Sequence, residues 1–163
     1  MIRHQIGRTV PTFIVGHMSG QNWDPPWRAG RDLCSDVWMV GRQAWFASEM
    51  VHRFGAHPAV AGWLVSNEMP IYGGDHAPHE VVATWARIIR DAVRAAGGWQ
   101  PFSLGDGAWG IEATGRENGF RLADAASICD FIGPHVYPVA DDRVRSITRP
   151  RGSASWPAHL ACR

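Results

Sequence analysis

Residues 58–70 read PAVAGWLVSNEMP, from Pro58 to Pro70. The uncharged run Ala59–Ser66 has strand length and lies between a proline and the polar step Asn67-Glu68-Met69-Pro70. It reads as a buried strand, with its polar end at the C-terminal side. The segments around it repeat that logic. Upstream, Val10–Val15 (VPTFIV) is rich in β-branched residues and does not alternate cleanly, as suits a parallel strand covered on both faces. Downstream, Pro101–Gly105 (PFSLG) and Asp130–His135 (DFIGPH) read as a third and a fourth strand.

Helical patterns separate these runs. Residues Asp36–Phe54 place Val37, Val40, Ala44, Ala47 and Val51 at helical spacing, with Trp38, Trp45 and Phe54 broadening the apolar face and Gly55 closing it. Pro78 suits a first turn and Glu80 favours its positive end. Val81, Val82, Trp85, Ile88, Ile89 and Ala92 then form a stripe that Gly97-Gly98 stops. A weaker helix is expected over Phe120–Ala126. Ser19–Arg31, Ile71–Ala77 and Asp106–Asn118 read as loops, the first too rich in glycine and proline for a helix or a central strand.

The order β, α, β, α, β, short α, β without hairpin signals predicts parallel strands joined by right-handed crossovers. Strands begin near residues 10, 59, 101 and 130. At about 40 residues per unit, eight units need about 320 residues, so the chain holds about half of an eight-stranded barrel, or else a small open sheet. No glycine-rich phosphate loop follows a strand, which weakens the nucleotide-binding form of an open sheet. Residues 1–140 are expected to form the folded unit and 141–163 an irregular C-terminal tail.

Composition narrows the possible partners. The 163 residues, 45% hydrophobic and 19% charged, suffice for one domain with a core. A formal charge of +1 predicts no nucleic-acid partner and no anionic membrane surface. The basic set is arginine throughout. Cys34, Cys129 and Cys162 are an odd set without CxxC spacing, expected as free thiols and not as a disulfide framework or a zinc site. The N-terminal stretch lacks the continuous apolar segment of an export signal, and no run approaches the ~18 apolar residues of a membrane span.

Polar and aromatic side chains collect at the strand C-terminal ends: His17, then Asn67 and Glu68, then Asp106 and Trp109, then His135 and Tyr137. In parallel α/β folds that rim is where ligands bind. A carboxyl group ending a buried strand is partly desolvated, which raises its pKa toward the range of a general acid, so Glu68 is the strongest catalytic candidate. The local alternative is a solvated glutamate in the turn before Pro70. Asn67 offers donor and acceptor to a hydroxyl group. Trp23, Trp27, Trp63 and Trp109 are candidate platforms for flat C–H-rich rings, while Trp38, Trp45 and Trp85 fit helical packing stripes. The rival chemistry is a metal site, either at Asp75, His76 and His79, whose DHxxH spacing is not the HExxH pattern, or at His17 and His135 on strand ends beside Glu68.

Residues 54–74, FGAHPAVAGWLVSNEMPIYGG, resemble the fourth strand and acid/base motif of the retaining TIM-barrel glycoside hydrolases that include the cellulases and β-mannanases. One residue is inserted before the proline. DFIGPHVYP, Asp130–Pro138, resembles the sixth strand of that clan, and GHMSGQNW, Gly16–Trp23, its third-strand loop. The resemblance covers about Val10–Pro138. It implies an α/β fold that is a partial (β/α)8 barrel of about four of eight units, and hydrolysis of β-linked oligo- or polysaccharides without a cofactor. By the same resemblance Glu68 is the acid/base and Asn67 hydrogen-bonds the sugar 2-hydroxyl. His135 and Tyr137 position sugar and nucleophile, while His17, Trp23, Trp63 and Trp109 contact substrate. The clan's nucleophilic glutamate belongs to a seventh strand beyond Arg163, so this chain alone is expected to be inactive. The alternatives are a non-catalytic carbohydrate-binding remnant and a metal-dependent barrel hydrolase.

Overall fold

The computed structural model describes residues 7–15, 25–67, 77–105 and 117–133. They form an α/β layer in which three parallel strands, β1 (Thr12–Val15), β2 (Trp63–Asn67) and β3 (Phe102–Ser103), lie in the order β1-β2-β3. Thr12 stands beside Leu64, Val15 beside Asn67 and Trp63 beside Phe102. Strand order following chain order is what successive β/α crossovers produce.

The helices are α1 (Val37–Phe54), α2 (His79–Ala95) and a short α3 (Leu122–Ile128). Asp36 starts α1 by accepting the Met39 backbone N–H at 2.9 Å. That hydrogen bond, helped by Arg31, holds the Asp36 carboxyl below its ordinary pKa. Gly55 caps α1 with its backbone in the right-handed region, φ −61°, donating to Val51 O at 2.7 Å. Pro78 precedes α2, Glu80 lies in its first turn, and Gly97 turns the chain away at φ +90°. The weak helix expected over Phe120–Ala126 forms two residues later.

Strand alternation sorts the side chains into two layers. Phe13, Trp63, Val65 and Phe102 share the face that α1 and α2 cover. Trp63 stacks on Phe13 with centroids 5.7 Å apart, and Phe13 meets Phe46 of α1 edge-on at 6.1 Å. Trp63, Val65, Phe102, Ala47, Ala86, Ile89 and Val93 are all buried in this core. Thr12, Ile14, Leu64, Ser66 and Ser103 have the opposite parity. Glutamines satisfy both buried indoles: Trp63 Nε1 donates to Gln100 Oε1 and Trp85 Nε1 to Gln43 Oε1, each at 3.0 Å. Gln100 in turn donates to Gly55 O, which ties the end of α1 to the segment entering β3.

Three expectations change. Trp38 and Trp45 do not join the packing face of α1; both are exposed, at 44% and 58%, because the apolar residues of this helix span a wider arc than the sheet and α2 cover. Pro101–Gly105 contributes only two residues to the ladder. On the side of β3 away from β2, Leu104 N donates to Cys129 Sγ at 3.3 Å and Phe102 N to the Asp130 carboxylate at 2.8 Å. Of the expected fourth strand, residues 130–133 carry no strand, although Asp130 N donates to Phe102 O at 2.9 Å. The rest of it, and the tail 141–163, lie outside the described residues, so the sheet stands at three strands there. No described helix is long and apolar enough to cross a membrane.

Candidate functional site at the strand ends

Because the strands run parallel, their C-terminal ends meet at one rim, and the register sets Asn67 directly beside Val15. β2 is the central strand; it reaches the rim together with β1, while β3 ends earlier, with Ser103 beside Leu64. Ser66 is fully buried just below this rim. Its Oγ donates to Leu104 O at 2.8 Å and its N–H reaches the same oxygen at 3.2 Å. Gly105 follows at φ +91°, pressed so closely on β2 that an added Cβ would collide with Ser66 O. The rim of β2 and β3 is therefore fixed by backbone packing, and the partly buried Asn67 projects from a rigid strand.

Of the residues singled out from the sequence, the structure describes Asn67 and Trp63. Glu68, His17, Trp23, Trp109, His135 and Tyr137 lie outside the described residues. Trp63 is corrected: it offers no platform to a ligand, since residue 63 has helix-facing parity and its ring is fully buried between Phe13 and Gln100. The sequence reading also passed over Gln100 and Gly105. Gln100 carried no recognisable signal, but a glycine directly after a strand is a known mark of close backbone approach.

The remaining reactive groups serve structure. Burial pushes the Cys34 thiol to about 12 and the Cys129 thiol to about 11, so neither is a thiolate nucleophile near neutral pH. His79, from the DHxxH segment, places Nδ1 3.0 Å from the Asp124 carboxylate and Nε2 2.9 Å from Glu80, linking α2 to α3. Asp75 and His76 lie outside the described residues. Among the described residues no three His, Cys, Asp or Glu side chains converge as a metal site. A cavity of about 600 Å³ between α1 and α2 is lined largely by apolar groups, including Val40, Val81, Trp85 and Ile88, and belongs to the helical layer.

No family model and no curated protein sequence matches the chain. Solved structures do. A variant of GH5_18 from Streptomyces cattleya, in complex with Manβ1-4GlcNAc, superposes with a TM-score of 0.63 at 21% identity, covering 74% of this chain and 32% of that one. An exo-β-1,4-mannosidase from an Opitutaceae bacterium gives a TM-score of 0.58 at 27% identity, covering 70% of this chain and 20% of that one. GH5_18 from Bifidobacterium longum gives 0.58 at 21%, covering 72% and 30%. The chain thus spans about a third or less of each of these proteins. Its similarity to TIM-barrel glycoside hydrolases, carried in the sequence by the Asn-Glu and His-Val-Tyr-Pro motifs, is borne out by these structures.

Proposed function

We propose that the chain is a segment of a glycoside hydrolase acting on β-linked oligo- or polysaccharides of the β-mannan or β-glucan type, with Glu68 as acid/base. The observation that carries this reading is the position of Asn67 as the last residue of the central parallel strand, at the rim where such folds bind ligands. Glu68 follows directly. A carboxyl group that ends a buried strand and is partly desolvated is suited to donating a proton, which is the role the resemblance gives Glu68. The sugar-bearing and mannosidase structures above support the substrate class.

In this reading the mechanism is retaining. Glu68 protonates the departing glycosidic oxygen while a second carboxylate, ~5–5.5 Å away, attacks the anomeric carbon and forms a glycosyl-enzyme. Glu68 then removes a proton from the water that hydrolyses that intermediate. Asn67 hydrogen-bonds the sugar 2-hydroxyl. His135 and Tyr137 position sugar and nucleophile, and His17, Trp23 and Trp109 contact substrate. The second carboxylate belongs to a seventh strand encoded beyond Arg163.

The test begins with the reading frame of the source DNA on both sides of these residues, where a downstream strand ending in glutamate is expected. Hydrolysis of an aryl β-mannoside and an aryl β-glucoside is then followed by NMR, which reports the product anomer. The polypeptide including that strand should give retained product, and Glu68→Gln should lower kcat by about 10²–10⁴-fold. Residues 1–163 alone should give none. An inverted product, or full activity in Glu68→Gln, would refute the reading.

A further inference from the structure

The outer surface of α1 carries tryptophans that the fold does not use. Trp27, Trp38 and Trp45 are exposed at 54%, 44% and 58%. At about 100° per residue, Trp38 and Trp45 lie within ~20° of each other and about 160–180° from Ala47, at the centre of the buried face. They therefore point straight away from the sheet. A parallel β/α layer grows by adding units beyond its edge strands, here β1 and β3, and such units cover the flanks of a helix, not its outward pole. Phe46 shows the contrast: also exposed, it leans on Phe13 of edge strand β1, where a neighbouring unit would cover it.

The cluster is built and not merely uncovered. The Arg31 and Arg42 guanidinium carbons stand 5.1 Å and 5.2 Å from the centroid of the Trp38 ring, and Trp27 meets that ring edge-on at 5.8 Å and 82°. Arg31 is itself anchored on the Asp36 carboxylate at 3.1 Å. Trp27 lies on a 3-10 turn, Pro26–Arg28, that Ala29 closes in the left-handed region at φ +51°, with Arg28 Nε donating to Arg31 O at 2.8 Å. Among the described residues Arg42 makes no ion pair, and no ring or cation packs on Trp45.

We infer that Trp27, Trp38, Trp45, Arg31 and Arg42 form a second saccharide-binding surface on the outer wall, apart from the rim, for an extended β-1,4-linked polysaccharide. This inference rests on the glycoside hydrolase reading for the class of ligand. Indole faces take the C–H-rich faces of pyranose rings, and guanidinium groups donate to ring hydroxyls without demanding an anion. Trp27 and Trp45, exposed at 54% and 58%, supply the platforms, while the Trp38 ring holds Arg31 and Arg42 between them as hydroxyl donors. Continuity favours the same partner: β1 ends at the rim with Val15, and the chain leaving it returns through Trp27 to the start of α1.

The experiment is affinity electrophoresis of the full chain in native gels containing soluble β-1,4-mannan or β-1,4-glucan, with dextran as control, alongside sedimentation velocity. The wild-type chain should be retarded by at least one β-1,4-linked polymer and not by dextran. Trp27→Ala with Trp45→Ala should weaken that retardation tenfold or more at an unchanged far-UV spectrum and unfolding midpoint, while Phe46→Ala should leave retardation unchanged. No retardation of the wild type, or equal retardation of the double variant, overturns the inference. So does a dimer that the double variant dissociates without altered retardation, which would make a second copy the occupant. The catalytic reading is judged separately by Glu68→Gln hydrolysis: if that variant loses activity while the double variant still binds, the outer-wall surface fails and the proposed function stands.

Discussion

Five of the described tryptophans form two sets that differ in everything except the residue. Trp63 and Trp85 are buried, each with its indole N–H on a glutamine oxygen. Trp27, Trp38 and Trp45 stand on the surface, where Trp38 is held by guanidinium groups and by the edge of another indole. A buried indole contributes its large apolar area only if its one donor is satisfied, so each inner tryptophan brings a polar partner into the core. An exposed indole has water for that donor, so it needs no polar partner from the core. Side-chain size therefore does not decide which tryptophans are structural; the partner of the N–H does.

The comparison is broken most directly at its inner member. Trp63→Ala should cost about 3–5 kcal/mol in urea unfolding, because the ring stacks on Phe13 and fills the layer between sheet and α1. Replacing the partner and keeping the ring sharpens the point: Gln100→Leu, similar in volume, should cost about 1–3 kcal/mol by leaving Trp63 Nε1 and Gly55 O unpaired. A Gln100→Leu protein as stable as wild type would mean that water reaches the indole.

Asp36→Ala, which removes the cap that aims α1 and its outer row, should destabilise the fold less than either core change. Its pH dependence has a definite sign. The Asp36 pKa lies below its ordinary value of 3.8 in the folded protein, so its contribution is fully present above that value and is lost as pH falls through the lower folded one. The stability gap between wild type and Asp36→Ala should therefore be open at pH 7 and close in acid. The smallest effect belongs to the outer set, where Trp45→Ala should change stability by no more than about 0.5 kcal/mol. A loss comparable to that of Trp63→Ala would show the two sets to be one.

Local sequence chemistry accounts for much of the fold. Asp36 ahead of an apolar stripe and Gly55 behind it marked α1 to within a residue, and Pro78 with Gly97-Gly98 did the same for α2. A cap or a breaker acts through its own backbone and needs no distant partner. The run ending Trp63-Leu-Val-Ser-Asn67 announced the central strand, and with it the rim position of Asn67 and the clan resemblance. Of the candidate site, that is the part the described residues bear on.

What the sequence determined by itself was the alternation of parallel strands and helices and the placing of Asn67 at a strand end, since both follow from local pattern and chain order. Tertiary structure alone decided which face each side chain serves. Trp63 took helix-facing parity and became core. Trp38 and Trp45, read as part of the packing stripe, turned outward because α1 is apolar over a wider arc than its neighbours cover. The backbone N–H groups on either side of Ser103 went to the Asp130 carboxylate and Cys129 Sγ, more than twenty residues away in the chain. Periodicity records that a residue is apolar, but burial depends on what packs against it, and that is fixed by contacts between segments far apart in sequence.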